Sequence, residues 1–402
     1  MTNPPLPVSP TVPPTATVHA NPTNKERQFL QQKFRDYYRQ HLYPPLLLHT
    51  REFGFGFERK IEYRHKSFET ENGLQEFIQR EAPFFMSYSA AFYRYPAAQP
   101  MEKKEFTGAE LIFDLDAGYE HEGHNPLACP YCLERVRDET LTLVEDFLLK
   151  DFGFSEKEVS ANFSGQKGYH VHVDSEAVRQ LSQEARKQLS NYVTASGLDL
   201  SKVFLKVPLR SHSGRAVQVL RGPDAFSKGW NGKLYRKVRL LIEHGDAQAM
   251  RKEGLKPSQI KFVLENKEAV LEKMSEGNWD LLKGMEATWK GLMERTLALK
   301  SVKVDEKVSY DMARLIRLPD SLHGDTGFIA KKVPLKELAA FDPLRQALAF
   351  SETSLVKVKS IASGPLSFTL QGQSFALEAG EEKELPENAA VFLLCKRKAV
   401  LL

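Results

Sequence analysis

The run Ala109–Glu110–Leu111–Ile112–Phe113–Asp114–Leu115–Asp116–Ala117–Gly118 constrains this chain more than any other segment. Its apolar half reads as a buried strand, and that strand closes on two acids spaced two residues apart. Side chains alternate between the faces of a strand, so Asp114 and Asp116 leave one face while Phe113 and Leu115 pack into the other. Two ionised carboxylates side by side repel unless something neutralises them. Magnesium or manganese does so, because hard cations take oxygen ligands. A pair of such ions activates an attacking hydroxyl and stabilises a leaving pyrophosphate. The plainer reading is a solvated strand end, where Asp-x-Asp arises by chance.

Around this strand the patterning predicts an α/β (α+β) core. Phe29, Leu30, Phe34 and Tyr37 recur at helical spacing over 24–39. Strands are expected within 51–66 and 85–96, a helix over 133–152, strands over 158–164 and 169–174, and a helix over about 175–196. Residues 222–300 are charged, helical in pattern and hold all three tryptophans, Trp230, Trp279 and Trp289, so they read as a helical subdomain inserted into the core. The core is then 25–221 plus 301–402. A strand-rich stretch is expected at 302–333, and 344–402, with SLVKVKS, LSFTLQG and AVFLLCKR, reads as a β-rich C-terminal part. Residues 1–24 are rich in Pro, Thr, Ala and Asn and carry too little apolar surface to offset the entropy of ordering, so a disordered tail is expected there.

The 402 residues are 42% hydrophobic and 27% charged, which suits two or three globular units with at least one sizeable core. A net charge of +4 permits a nucleic-acid partner without demanding one. Three cysteines, Cys129, Cys132 and Cys395, are too few and too uneven for a secreted disulfide framework. No apolar run is long enough to span a bilayer, and no secretory signal is evident. A cytoplasmic location is the expectation.

Three further clusters carry chemistry. Ser164–Gly165–Gln166–Lys167–Gly168 joins two strands, and successive N–H groups in such a turn form an anion nest. Ser164, Lys167 and His170 add a hydroxyl, a point charge and a ring donor suited to a triphosphate; the alternative is an ordinary hairpin with a surface lysine. Downstream, Asp305 stands ready to complete a three-carboxylate site, and Arg317 and His323 offer charge-assisted hydrogen bonds to phosphate. Arg314 suits a structural salt bridge, and a charged loop is the alternative for the whole stretch. Lastly, His121, His124, Cys129 and Cys132 supply four N/S ligands for a structural, tetrahedral zinc, against which stands a redox dithiol. Of the two histidines His121 is the weaker choice. Cys395 is expected to be a core cysteine.

REFGFGF, LIFDLDA, the His/Cys knuckle at 121–132, FSGQKGYHVHV and VDEKVSYDMARLIRLPDSLHGDTG occur here in that order. Together they resemble the catalytic small subunit of archaeal and eukaryotic-type DNA primases, from about residue 26 to the C-terminus. The resemblance implies a core around mixed sheets with RNA-recognition-like elements. It implies template-directed synthesis of short primers on single-stranded DNA from nucleoside triphosphates, for DNA replication. It makes Asp114, Asp116 and Asp305 ligands of magnesium or manganese, and Ser164, Lys167, His170, Arg317 and His323 contacts of the incoming triphosphate. It also implies a large-subunit partner, whose iron–sulfur cluster three cysteines here could not hold. Arg51 would add positive charge near the site. Two departures stand out. The family's knuckle often opens with a cysteine further upstream, so His121 would substitute, and Gln166 stands where many relatives carry a basic residue. A repair-type primase-polymerase would share the acids and the Ser-Gly turn, and a non-catalytic nucleic-acid-binding module would keep the fold. The knuckle argues against the first and the three intact carboxylates against the second.

Overall fold

The Leu111–Asp116 strand forms, and it pairs antiparallel with Gly168–Val173 along its whole length, Asp114 opposite His170 and Asp116 opposite Gly168. In this computed structural model, residues 24–41, 44–118, 121–210, 216–282 and 285–402 are described; the tail expected to be disordered, Asn24 apart, lies outside them. The sheet continues through Val159–Phe163 to Lys332–Val333. One face is apolar: Leu111, Phe113, Leu115, Tyr169, Val171 and Phe163 are buried. It is covered by the helix Pro130–Thr142, which runs on into π-helical turns over Leu143–Leu149. Strand alternation therefore sends Asp114, His170, His172 and Asn162 to the opposite face.

A second four-stranded sheet has the order Leu315–Arg317, Phe85–Ser89, Phe53–Gly56, Tyr63–Lys66. Its aromatic side is built from Phe53 and Phe55 against Phe68 and Phe77 of the adjoining segment and the helix Glu71–Glu81. Every strand pairing among the described residues is antiparallel, with no parallel neighbours where a mixed sheet would have them. The stretch 302–333, expected to be strand-rich, holds the short strands Leu315–Arg317 and Lys332–Val333 and the helix Glu306–Tyr310, with turns, irregular chain and isolated bridges between them.

Five helices, Gly229–His244, Ala247–Lys252, Pro257–Glu265, Lys267–Ser275 and Met285–Lys300, occupy most of 222–300. They share an apolar cluster around Trp279 and Trp289, whose rings meet edge-on at 5.3 Å. That cluster also takes Val203, Phe204 and Leu220, so its packing begins upstream of residue 222. Trp230 instead joins the main core, 5.5 Å from the Phe147 ring.

The C-terminal part sets Leu355–Ser360 between Glu382–Pro386 and Ala399–Leu401, with a hairpin of Leu366–Leu370 and Gln373–Leu377 beside it. Of AVFLLCKR, read from sequence as alternating, the first six residues are instead the end of the helix Glu387–Cys395, every residue of which is buried. Periodicity carries no information in a segment that is apolar all round, because a helix enclosed on every side needs no polar face. Among the described residues no helix is long and apolar enough to cross a membrane.

Candidate active site and metal centre

A cavity of about 460 Å³ lies where the polar face of the first sheet meets the second sheet. Asp114 and Asp116 line it, together with Ser164, His170, Arg317 and His323. Asp305 arrives from the chain that follows the helical body. Its backbone N–H donates to the Asp114 carbonyl at 2.9 Å, and its side chain caps the helix Glu306–Tyr310 by accepting from the Lys307 N–H at 3.0 Å. Asp114 is largely buried, and its Oδ1 has no hydrogen-bond partner, with His170 Nε2 3.6 Å away. Burial first, then the charges of Asp116 and Asp305, push its pKa up to about 7. A buried, orphaned carboxylate oxygen beside two further acids is a donor set that a hard divalent cation fits and a proton only partly satisfies.

The Ser164–Gly168 turn is held tightly. Ser164 Oγ accepts from the Gly168 N–H at 3.1 Å, and Thr326 Oγ1 donates to the Gly165 carbonyl at 2.6 Å, strapping this turn to the loop that carries His323. Gly165 has φ +82°, and a Cβ there would stand 2.8 Å from His323 Cβ, so the close approach of the two loops requires glycine. Lys167 lines the neighbouring cavity and sets its Nζ 3.4 Å from Asp116 Oδ2.

Arg317 and His323 are buried and face the same space. Arg317 Nη1 has no hydrogen-bond partner; the guanidinium lies 5.3 Å over the Phe85 ring, and burial lowers its pKa to about 10, leaving it charged at neutral pH. His323 Nδ1 accepts from the Asp325 N–H at 3.2 Å, which leaves the proton on Nε2. Burial, reinforced by Arg317, holds its pKa well below the usual histidine value, and burial with His172 and Arg317 does the same for His170. Both rings are therefore neutral at pH 7, each able to offer one N–H.

Arg51 does not reach this space. It is buried against Glu110, donates to the Ser89 carbonyl at 2.7 Å and packs on the Phe92 ring at 4.0 Å. Glu110 also accepts from His172 Nδ1 at 2.9 Å, so the Arg51 charge is spent on an internal pair beside a separate cavity. Arg314 makes the expected salt bridge, 3.5 Å from Asp305 Oδ2. The sequence reading missed Lys60 and Arg64, both in the cavity wall, as well as Ser87. The basic run in ERKIEYRHK was their only signal, and it was read as strand alone.

His121, His124, Cys129 and Cys132 come together, one donor atom from each lying within 4.8 Å of all the others. His121 Nε2 is 3.2 Å from Cys129 Sγ and 3.3 Å from Cys132 Sγ, and His124 Nδ1 is 3.4 Å from Cys132 Sγ. His121, the weaker candidate from sequence, is thus placed no worse than His124. Cys129 caps the helix Pro130–Thr142, a position that favours a thiolate. Burial raises its pKa, but hydrogen bonds from Cys132 and His121 outweigh this and hold it below the usual thiol value. These separations are those of ligands sharing one tetrahedral ion. Cys395 is a buried free thiol, raised by burial, as expected of a core cysteine.

Acids gathered beside buried phosphate-type donors in one cavity are the hallmark of a nucleotidyltransferase-type enzyme. The sequence comparisons give that class its family. A profile described as DNA primase small subunit matches residues 113–335. The DNA primase small subunit PriS of Methanothrix thermoacetophila is 35% identical over 392 residues, covering 93% of this chain and 98% of that protein. That of Methanocella arvoryzae is 33% identical over 94% of this chain and 98% of its own length, and that of Haloarcula marismortui 30% identical over 93% and 98%. The chain belongs to the DNA primase small subunit family.

Proposed function

We propose that this chain is the catalytic subunit of a cytoplasmic, replicative DNA primase, joining nucleoside triphosphates into short primers along single-stranded DNA with a large subunit as partner. The observation that carries the reading is the orphaned, buried Asp114 carboxylate flanked by Asp116 and Asp305 and faced by Arg317 and His323. Asp114, Asp116 and Asp305 would hold two magnesium or manganese ions. When bound, such ions make a 3′-hydroxyl acidic and neutralise pyrophosphate as it leaves.

The chain's own groups perform the rest. Arg317, with an unengaged Nη1 in a buried setting, is placed to bind phosphate oxygens as charge moves onto the leaving group. His170 and His323 donate neutral N–H bonds, so they orient the triphosphate without competing with the cations for the acids. Lys167, beside Asp116, balances charge at the mouth, and the Ser164 turn supplies backbone N–H groups. His121, His124, Cys129 and Cys132 would hold a structural zinc that fixes the loop between the second acid and its helix.

The test is a gel assay with single-stranded DNA, labelled nucleotides and either metal, comparing wild type with the Asp114→Ala, Asp116→Ala double variant. Primers from the first and none from the second are expected. Equal product from both would sink the assignment of the site.

A further inference from the structure

The cavity holds more cation than the triphosphate needs. The donors assigned to the nucleotide come from the Ser164 turn, the Gly168–Val173 strand and the 315–323 segment. Lys60 and Arg64 come from elsewhere, the hairpin of Phe53–Gly56 and Tyr63–Lys66, and Arg314 stands just before Leu315. We propose that Lys60, Arg64 and Arg314 form a second phosphate site that grips the 3′-terminal phosphodiester of the growing strand. The proposal rests on reading Asp114, Asp116 and Asp305 as the reaction centre.

Arg64 is built as a fixed binding group. Its Nε and Nη2 donate to the two oxygens of Glu52 at 2.8 and 3.3 Å, and Nη2 also reaches the Ala313 carbonyl at 3.2 Å. Glu52 is itself fully buried, accepts from the His65 N–H at 3.1 Å and lies 3.4 Å from Lys104 Nζ. Glu52, taken out of water, needs a cation, and with Lys104 also beside it Arg64 is not the only lysine or arginine it pairs with, unlike Arg51 with Glu110 among the described residues. Yet 36% of the Arg64 side chain stays exposed, and these bonds leave Nη1 unengaged. A guanidinium ordered before its ligand arrives loses little entropy on binding. The bond to Ala313 also ties the hairpin to the segment bearing Arg314. Asp311 is the other acid on this wall, and its Oδ1 is occupied by the Ala313 N–H at 3.1 Å.

Arg314 decides which strand is held. Its Nη2 lies 3.5 Å from Asp305 Oδ2, so any phosphate it contacts sits beside the reaction centre. The strand whose 3′-hydroxyl attacks has its last phosphodiester within one nucleotide of that point. The backbone of the opposing template strand lies across a groove on the order of 10 Å wide. Lys60 is exposed, makes no ion pair among the described residues, and lines the same cavity as Asp114 and Asp116. Its charge already acts on this space, opposing in part the raised pKa of Asp114 and adding to the lowering of that of His323.

Lys60 is the variant to use, because removing an exposed, unpaired side chain leaves the fold intact. Steady-state extension is measured with the full chain, varying first the primed template and then the nucleotide. Lys60→Ala is expected to raise the KM for primed template about tenfold, with a much smaller rise in nucleotide KM, and Lys60→Arg to restore it. The slope of log KM for primed template against log salt should fall by about 0.9, the signature of one lost duplex phosphate contact. A neutral methylphosphonate at the last primer linkage should weaken wild type clearly more than it weakens Lys60→Ala, which keeps only the Arg64 and Arg314 contacts. A rise in nucleotide KM instead, or an equal methylphosphonate penalty in both proteins, overturns the proposal. Extension by the Asp114→Ala, Asp116→Ala variant would be a separate result, removing the reaction centre on which the proposal rests.

Discussion

Replacing Asp114 by asparagine should stabilise the metal-free protein at neutral pH. Asp114 is buried, its Oδ1 lacks a partner, and its pKa stands at about 7 instead of 3.8. Each tenfold change in proton affinity is worth about 1.36 kcal/mol, so ionising this group is about 4 kcal/mol harder in the folded chain than in the unfolded one. The sign follows from where the proton binds. The folded state holds it more tightly, so this group's contribution to metal-free stability is most favourable below about pH 4, declines as pH rises from about 4 to about 7, and levels off above. Asparagine keeps the shape and carries no charge. In chelator, urea unfolding followed by circular dichroism should therefore show Asp114→Asn ahead by up to about 4 kcal/mol at pH 7.5 and by under about 2 kcal/mol at pH 5. Manganese should reverse the order at pH 7.5, because wild type gains a ligand that the variant has lost. Equal stability at pH 7.5 without metal, together with an identical pH dependence in both proteins, would refute the idea that the three acids are held in mutual repulsion.

Lys167→Ala should raise the nucleotide KM about tenfold, with a much smaller rise in the KM for primed template, in the same extension assay. Gly168→Ala would push a methyl against the Leu115 carbonyl and Asp116 Oδ1; extension should fall at least about a hundredfold, a displacement of about 1 Å being enough for that, whereas normal activity would show that the two strands separate freely there. Cys132→Ala should lower zinc content by elemental analysis from about one per chain to a small fraction of that, with a lower melting temperature; unchanged zinc would place the ion elsewhere. Thr326→Val, which removes the strap to the Gly165 carbonyl, should raise nucleotide KM several-fold through the misplaced turn while zinc content stays constant.

The parts of this site legible from sequence were those encoded locally. Asp114 and Asp116 declare their shared face through strand alternation, and the four knuckle ligands lie within a dozen residues, so spacing alone brings them together. Asp305, Arg317 and His323 are remote from the two acids. Motif order suggested their role, but nothing local showed that Asp305 docks by a backbone bond to Asp114 or that Thr326 straps one loop to the other. Arg51 misled because a basic residue beside a motif resembles a site residue; only packing reveals that Glu110 neutralises it. Lys60 and Arg64 were invisible for the opposite reason, their meaning depending on a sheet that brings a hairpin over a distant strand. The helix Glu387–Cys395 escaped detection because burial on all sides erased the period that would have announced it.

Asp305 enters the chain only after the five helices, yet its backbone is bonded to Asp114 in the first sheet. The cluster of three acids therefore closes a loop that encloses the whole helical body. Contacts so distant along the chain form late, since the entropy of closing the loop must be met before they contribute anything. A newly made chain would then have its knuckle and its first two acids in place while it still lacked a third. By that reasoning a chain stalled before this contact would keep its hairpins and helices but hold two acids in place of three.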